Sequence, residues 1–569
     1  MNIREELAEA IGKTAVLSSE RAYELLEEPP QQNLGDYALP CFTLAKELRK
    51  SPQLIAEEIA EKLELPELFA ELKVTGPYLN FFFAADKFIP EILTEARLKG
   101  KDYGSSKLGG AEPVIVEYSS ANIAKSFHVG HGYSTILGQV IANLYQKLGY
   151  DVKRFNHLGD YGTQFGKLIY AWKHWGDQAA LERDPLAEMT RIYVKFHREA
   201  EAQPELEDAA RHEFKNLESG EAEAVRIWSL FRELSIESFK KIYKRLNIDF
   251  DNWNGEAFYS KMMPEVVAEL EADGLLEESE GAKVVRLDDY GLNPCIIQKS
   301  DGTSIYATRD LAAIKWRKDE VKFKRNIYVV GKEQCNHFQQ LFAVLEKQKK
   351  AEAKECVHVS FGRIKFADGD FSTRKGQIIT LEELLDRAVE KTREIILANN
   401  PDESPEEINK TAEIIGVDAV IFTYIKNSRE RDIFFSWDEA LSFEGESAPY
   451  LLYTYARAKS ILRKAELNWE ELDSSYLQHL DSAEDLELAK IIAAYPEKIK
   501  QAAEAFEPSI LVRLILNLAR SFNSYYHAKP ILKAESEDLV KARLLLVGIC
   551  AEQLRAMLHL IGLETVEKM

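Results

Sequence analysis

Residues 113–131 read PVIVEYSSANIAKSFHVGH, and the fold turns on this stretch. The run Val114-Ile-Val-Glu-Tyr118 is β-branched and apolar enough for a parallel strand covered on both faces. Ser119, Ser120 and Asn122 supply turn and N-cap chemistry, and a helix opens at His128-Val-Gly-His131. His128 and His131 are three apart, so at a helix start they share a face. Gly130 removes a side chain where a ligand would need close approach to the backbone. A helix N-terminus favours an anion through its free N–H groups and the macrodipole. Two imidazoles aimed there make a site for a triphosphate. An isolated HxGH reads more readily as two surface histidines; the strand and polar loop before it bring the phosphate reading forward.

The chain has 569 residues, which by the usual size prior divide into three to four domains. Its 46% hydrophobic and 29% charged content is that of a soluble globular protein. The N-terminal MNIREELAEAIG carries Arg4, Glu5 and Glu6 and no apolar core, so it is not read as a signal peptide. No apolar run approaches membrane-spanning length. Five cysteines are scattered without a CxxC pair, which argues against a structural zinc and fits a reducing cytoplasm. A net charge of −21 argues against a general nucleic-acid coat but leaves room for local basic patches. One such patch is Lys315, Arg317, Lys318, Lys322, Lys324 and Arg325; another is Arg513, Arg520, Lys529, Lys533, Lys541 and Arg543. Either is equally a solvated helical face.

Residues 1–105 read as a small α+β unit, with helical runs near 2–12 and 42–63 and a strand at 78–83 after Thr75-Gly-Pro77. Residues 101–111 form a glycine-containing linker. From 111 to 390 the pattern is a doubly wound α/β domain with a parallel, Rossmann-like sheet. Its first half is the quoted strand, a long helix over 134–148 and a second strand at 151–155. Residues 173–262 read as a helical insertion, and strand-like runs at 283–287, 295–299, 327–330 and 357–364 supply the second half. From 391 to 569 strand signal nearly vanishes and apolar residues recur at helical spacing, which predicts an all-α bundle.

In this order the pieces resemble a class I aminoacyl-tRNA synthetase. His128-Val-Gly-His131 is similar to the first class signature, and Gly369-Asp-Phe-Ser-Thr-Arg-Lys-Gly376 is an imperfect match to the second. Within the class, longer stretches resemble the arginyl-tRNA synthetase family. They are Glu117-Tyr-Ser-Ser-Ala-Asn-Ile-Ala-Lys125, Asn156-His-Leu-Gly-Asp-Tyr-Gly-Thr-Gln-Phe-Gly166 and Tyr306-Ala-Thr-Arg-Asp310. Phe443-Glu-Gly-Glu-Ser-Ala-Pro-Tyr450 with Tyr455-Ala-Arg457 is similar to that family's anticodon-binding helices. Asn33-Leu-Gly-Asp-Tyr37 and Gly76-Pro-Tyr-Leu-Asn80 look like its additional tRNA-binding N-terminal domain.

The resemblance implies activation of L-arginine by ATP, brought with Mg2+, and transfer of arginine from the adenylate to the terminal adenosine of tRNA(Arg). It also implies that activation depends on tRNA. Such chemistry works by positioning and electrostatics rather than a side-chain nucleophile. His128 and His131 suit it as donors, with Gly130 beside them; Ser372, Arg374 and Lys375 lie on a basic loop able to close over the phosphates. Asp370 and Thr373 stand where the class usually places lysines, so the missing charge falls to Lys125, just before the HxGH, or to Arg374 and Lys375. A guanidinium offers a planar fork of donors and needs carboxylates in reach. Glu117, inside an apolar strand, and Asp310, one helical turn from Tyr306, are the candidates. By resemblance Asn122 and Gln340 hold the α-amino group and Ser120 the carboxylate, while Glu333, Gln334 and His337 meet ATP. Asp160 and Gln164 line the same cavity without a derivable role. Tyr450, Tyr453 and Arg457, on one helix with Tyr455 and Lys459, are candidates for stacking anticodon bases and holding phosphates.

Three other readings compete. A cysteine-specific synthetase would want a cysteine–histidine zinc site, against which the scattered cysteines argue. A catalytically silent RNA-binding relative draws on Asp370, and a small-molecule adenylyltransferase leaves the C-terminal bundle unexplained. The reading favoured is a cytoplasmic ligase acting as a monomer.

Overall fold

The computed structural model describes residues 3–29, 31–300, 305–366, 379–399 and 401–569. The N-terminal unit is a three-stranded antiparallel sheet of β1 (Tyr37–Pro40), β2 (Phe69–Thr75) and β3 (Tyr78–Phe83), ordered β1-β3-β2, with helices on one side. The helical run expected over 42–63 is broken. Arg49 adopts a left-handed φ of 53°, and Ser51 caps a new helix, Pro52–Lys62, by accepting from the Leu54 N–H.

The central sheet contains β4 (Pro113–Glu117) and β5 (Asp151–Phe155), joined by helix Val129–Lys147. Three strands that follow, β6 (Leu276–Ser279), β7 (Ala282–Val285) and β8 (Cys295–Gln298), pair antiparallel in a sheet of their own. The runs near 283 and 295, expected to complete the parallel sheet, therefore do not join it. Their residues cover the sheet's outer helices instead, since Val285, Cys295 and Ile297 share a core cluster with Leu311 and Leu341. The parallel sheet is completed by β9 (Arg325–Val329) and β10 (Cys356–Val359), in the order β10-β9-β4-β5. The expected strand at 357–364 is two strands. Its end, β11 (Ile364–Phe366), pairs with β12 (Ile433–Phe435), a short strand inside a region expected to be helical.

Burial explains why β4 reads as continuously apolar. Val114 and Val116 face the cluster that includes helix Val129–Lys147, while Ile115 faces the helices Tyr306–Val321 and Cys335–Lys347 on the other side. The chain order reverses at β4, with β5 on one side and β9 on the other, so the crevice beyond the carboxyl ends of these strands is where an α/β sheet binds ligands. Helices Pro185–Ala202, Glu205–Glu218 and Ala222–Arg245 fill the insertion. From Leu381 onward the chain is helical apart from β12 and its loops, ending in Ala448–Lys464, Ala483–Ala505, Ser509–Ala528 and Glu537–Leu560. Among the described residues no helix is long and apolar enough to cross a membrane.

Candidate active site

The helix after β4 starts one turn earlier than its apolar pattern suggests, because the histidines cap it. His128 has extended backbone, and its Nδ1 accepts from the N–H groups of Gly130 (3.1 Å) and His131 (3.3 Å). His131 Nδ1 in turn accepts from the His128 N–H at 3.3 Å. The rings stack at 3.7 Å between centroids, inclined by 22°. With both Nδ1 atoms accepting, each ring proton sits on Nε2, which leaves two Nε2–H donors beyond the cap. Burial, then the charge of Lys125, holds His128 below its usual range; burial, His128 and Lys125 push His131 down to about 3. Both rings are therefore neutral donors near pH 7. Gly130 serves the cap directly: a Cβ there would stand 3.0 Å from the His128 ring.

The loop before this helix is held in an unusual shape. Ser119, Ser120 and Ala124 have φ of 70°, 49° and 58°, a conformation costing non-glycine residues roughly 1–3 kcal/mol each. Ser119 Oγ lies 2.7 Å from Tyr243 Oη, the Ser120 N–H donates to Asn156 Oδ1 at 3.1 Å, and Ala124 N–H donates to Ser235. The Ser120 hydroxyl is buried without a partner. Asn122 bridges to Gly159, where a Cβ would collide with its Oδ1. Asp160 is not a cavity-lining acceptor. It is buried, with Oδ2 taken by Arg232 Nε (3.0 Å) and Oδ1 by the Ala257 N–H (2.8 Å), so it fastens the insertion to the sheet. Gln164 Nε2 donates to the Tyr161 carbonyl.

A second group gathers beyond the ends of β4, β5 and β9. Glu117 is not the free carboxylate its strand position suggests: its Oε2 lies 2.5 Å from Nη2 of Arg317, and both side chains are nearly inaccessible. The same Nη2 lies 3.2 Å from His157 Nδ1, and His157 Nε2 lies 4.0 Å from Asp310 Oδ1. Asp310 Oδ2 takes His337 Nε2 at 2.6 Å. Burial would raise the Asp310 carboxyl, but the hydrogen bond and charge of His337, with His157 and Arg309, hold it below the usual range. Tyr306 leans on the His337 ring at 4.7 Å and is 53% exposed. His337, expected at ATP, is thus tied to the Asp310 side of the crevice. Gln340 turns its amide nitrogen to the carbonyls of Asn293 and Pro294, and Glu333 pairs with Arg363 at 2.5 Å. Gln334 is exposed at the start of helix Cys335–Lys347.

Lys125 is exposed in the loop leading to His128. Ser372, Arg374 and Lys375, with the rest of 367–378, lie outside the described residues. The chain on their far side returns to the histidines: Thr380 bridges to His128, and the Val129 N–H donates to the Ile379 carbonyl. In the sequence alone His157 carries no distinguishing signal, and Arg317 reads as part of a basic patch. Its spacing was the available signal, because Arg317 lies two helical turns from Asp310, on the same buried face. Two other members of the patch are neutralised, Lys315 by Glu265, Glu269 and Asp319 and Lys318 by Glu355.

In the bundle, a cleft of about 1190 Å³ is lined by Tyr453, Arg457, Lys464 and Tyr526. The Arg457 guanidinium lies 4.8 Å from the Tyr453 ring and 5.2 Å from that of Tyr526. Tyr450 is half-buried, its hydroxyl accepting from Asn523, and Tyr455 is core. Another cavity, about 1080 Å³, lies between the N-terminal unit and the bundle and contains none of the candidate residues.

Comparison with known proteins matches three family models along the chain. They are an arginyl tRNA synthetase N-terminal domain over residues 1–83, a catalytic domain of class I (R) tRNA synthetases over 90–437, and a DALR anticodon binding domain over 451–569. Curated relatives include the arginine–tRNA ligase of Clostridium perfringens, 49% identical over 570 residues, and that of Halothermothrix orenii, 46% identical over 571, each alignment covering both chains entirely. Among solved structures, Thermus thermophilus arginyl-tRNA synthetase superposes with a TM-score of 0.83 at 27% identity, covering 100% of both chains. The Plasmodium falciparum enzyme, at 24% identity and the same score, shares the fold over 100% of this chain and 99% of its own. With the capped histidines, the parallel sheet and the helical bundle in place, these matches establish that the chain belongs to the arginyl-tRNA synthetase family of class I.

Proposed function

We propose that the chain activates L-arginine with ATP and transfers it to tRNA(Arg), and that Asp310 receives the substrate's guanidinium. One observation carries the assignment. Two other carboxylates near Asp310 each hold an arginine of the chain: Glu117 with Arg317 and Glu256 with Arg309. Asp310 alone of this group faces only imidazoles, with no lysine or arginine in ion-pair range among the described residues. A partly exposed, ionised carboxylate bound by one ring nitrogen, His337 Nε2 at 2.6 Å, with His157 Nε2 standing 4.0 Å off, is matched to an incoming planar cation. Tyr306, exposed and one turn away, is placed to flank it. The unpartnered Ser120 hydroxyl suits the substrate carboxylate, with Asn122 and Gln340 beside the amino group.

At the other end of the crevice the Nε2–H groups of His128 and His131 stabilise charge building on phosphate oxygens, with Lys125 as the nearby cation. Ser372, Arg374 and Lys375 act from the signature loop, while Glu333 and Gln334 remain the candidates for the ATP ribose. Anticodon bases stack in the cleft of Tyr453, Arg457 and Tyr526, with Tyr450 behind. The reading includes a monomer acting in the cytoplasm, with Mg2+ arriving on ATP. Aminoacylation of total tRNA, tried with each of the twenty amino acids, tests it. Preferential charging with any residue other than arginine refutes it, and full ATP–pyrophosphate exchange without tRNA removes the tRNA requirement.

A further inference from the structure

Arg317 is wholly buried, yet two of its nitrogens, Nε and Nη1, make no hydrogen bond of normal geometry, although the Tyr259 hydroxyl interacts with the guanidinium. Its guanidinium carbon lies 5.2 Å from the Phe155 ring, 5.7 Å from Tyr259 and 5.6 Å from Tyr328, with Glu117 at the open corner. A buried ion pair with unsatisfied donors is a poor way to stabilise a core, where apolar side chains of the same volume commonly do as well or better. What Arg317 does have is contact with Glu117 at the end of β4 and with His157 just beyond β5. A guanidinium only donates, so His157 must present Nδ1 as an acceptor and carry its proton on Nε2, the atom that faces Asp310.

We infer that Arg317, acting through Glu117 and His157, is a positioning residue for arginine recognition. Its charge cancels that of Glu117, which leaves Asp310 as the one carboxylate for the substrate's single positive charge, and its hydrogen bond turns His157 so that Nε2 faces Asp310 across 4.0 Å. The inference rests on the reading that Asp310 meets the substrate side chain. Burial, then Arg317, holds His157 below its usual range, against the opposing pull of Glu117 and Asp310, so the ring adds no competing charge. Without Arg317 the pocket would hold two carboxylates for one guanidinium; without His157 Arg317 would lose an acceptor and Asp310 the N–H that faces it.

The test is steady-state aminoacylation by the full chain, giving KM for arginine, KM for ATP and kcat, with thermal melting alongside. The variants are Arg317→Met, His157→Phe, His157→Asn and Asp310→Asn. His157→Phe removes a neutral N–H that faces Asp310 across 4.0 Å and an acceptor that orients Arg317. That loss converts to roughly 3–10-fold in affinity, so the variant should raise the arginine KM by about that factor while kcat and the ATP KM stay within about twofold. His157→Asn keeps an acceptor near the Nδ1 position and should recover most of the loss. A purely structural role would lower kcat through inactive protein and leave the arginine KM unchanged. That result in His157→Phe, and in Arg317→Met where it folds, overturns the inference if Asp310→Asn still raises the arginine KM. An unchanged arginine KM in Asp310→Asn overturns the pocket reading and the inference together.

Discussion

The two ends of the crevice are built by opposite strategies. At the phosphate end, four consecutive residues make the site: each histidine caps the other's backbone, and Gly130 leaves room for the ring. At the guanidinium end, Glu117, His157, Asp310, Arg317 and His337 come from segments up to 220 residues apart, and Glu117 and His157 join the helical residues only where β4, β5 and β9 pair. The first end stands on local hydrogen bonds that a short peptide specifies. The second is a product of sheet topology, which places the ends of β4, β5 and β9 side by side.

That contrast is exposed to direct attack. The largest expected effect is Glu117→Gln, which leaves the buried Arg317 unpaired and should cost about 3–5 kcal/mol of folding stability in a urea titration, besides weakening arginine use. A loss under 1 kcal/mol would mean that the pair is not a structural element of that end. At the other end, His128→Asn keeps a good helix cap and removes the Nε2–H donor. Melting should be nearly unchanged while single-turnover adenylate formation falls about 10²–10³-fold; parallel losses of both would show that the cap, not the donor, matters. Lys125→Ala should slow the same step by a similar or smaller factor, roughly 10²-fold, with arginine affinity little changed. An unaffected rate, together with collapse in Lys375→Ala, would move the charge to the signature loop.

The smallest effect is in pH. His131 is depressed from the usual 6.5 to about 3, and His128 is depressed too, so between those pH values the folded chain binds fewer protons than the unfolded one. Stability is fully present above about pH 6.5 and is lost as pH falls toward 3. The denaturation midpoint should drop from pH 7 to pH 5, and His131→Asn should make that drop shallower. An equal slope in the variant would show that the ring is not held neutral by the fold.

The sequence is most legible where its pattern is local. The strand at 113–117, the loop after it and the helix at 129–147 lie within a residue or a turn of their expected positions, because β-branched runs and capping residues carry their own conformational preference. It misleads where the same local signal has two tertiary outcomes. Residues 282–285 and 295–298 read as strands and are strands, but nothing in an apolar run says which sheet it joins. Asp160 and Arg317 misled in the same way: a charge in sequence looks like a surface or a ligand, whereas each here meets a partner far along the chain.

The order of elements, the histidine cap, the charge composition and, through the longer motifs, the family are all legible in the residues before any folding. Only the tertiary structure decided that Glu117 is already held by an arginine of the chain and that Asp310 is the carboxylate without one. The reason is physical. A cap is settled by hydrogen bonds within four residues, but whether a buried charge is spent or available depends on which opposite charge the folded sheet brings within about 4 Å of it.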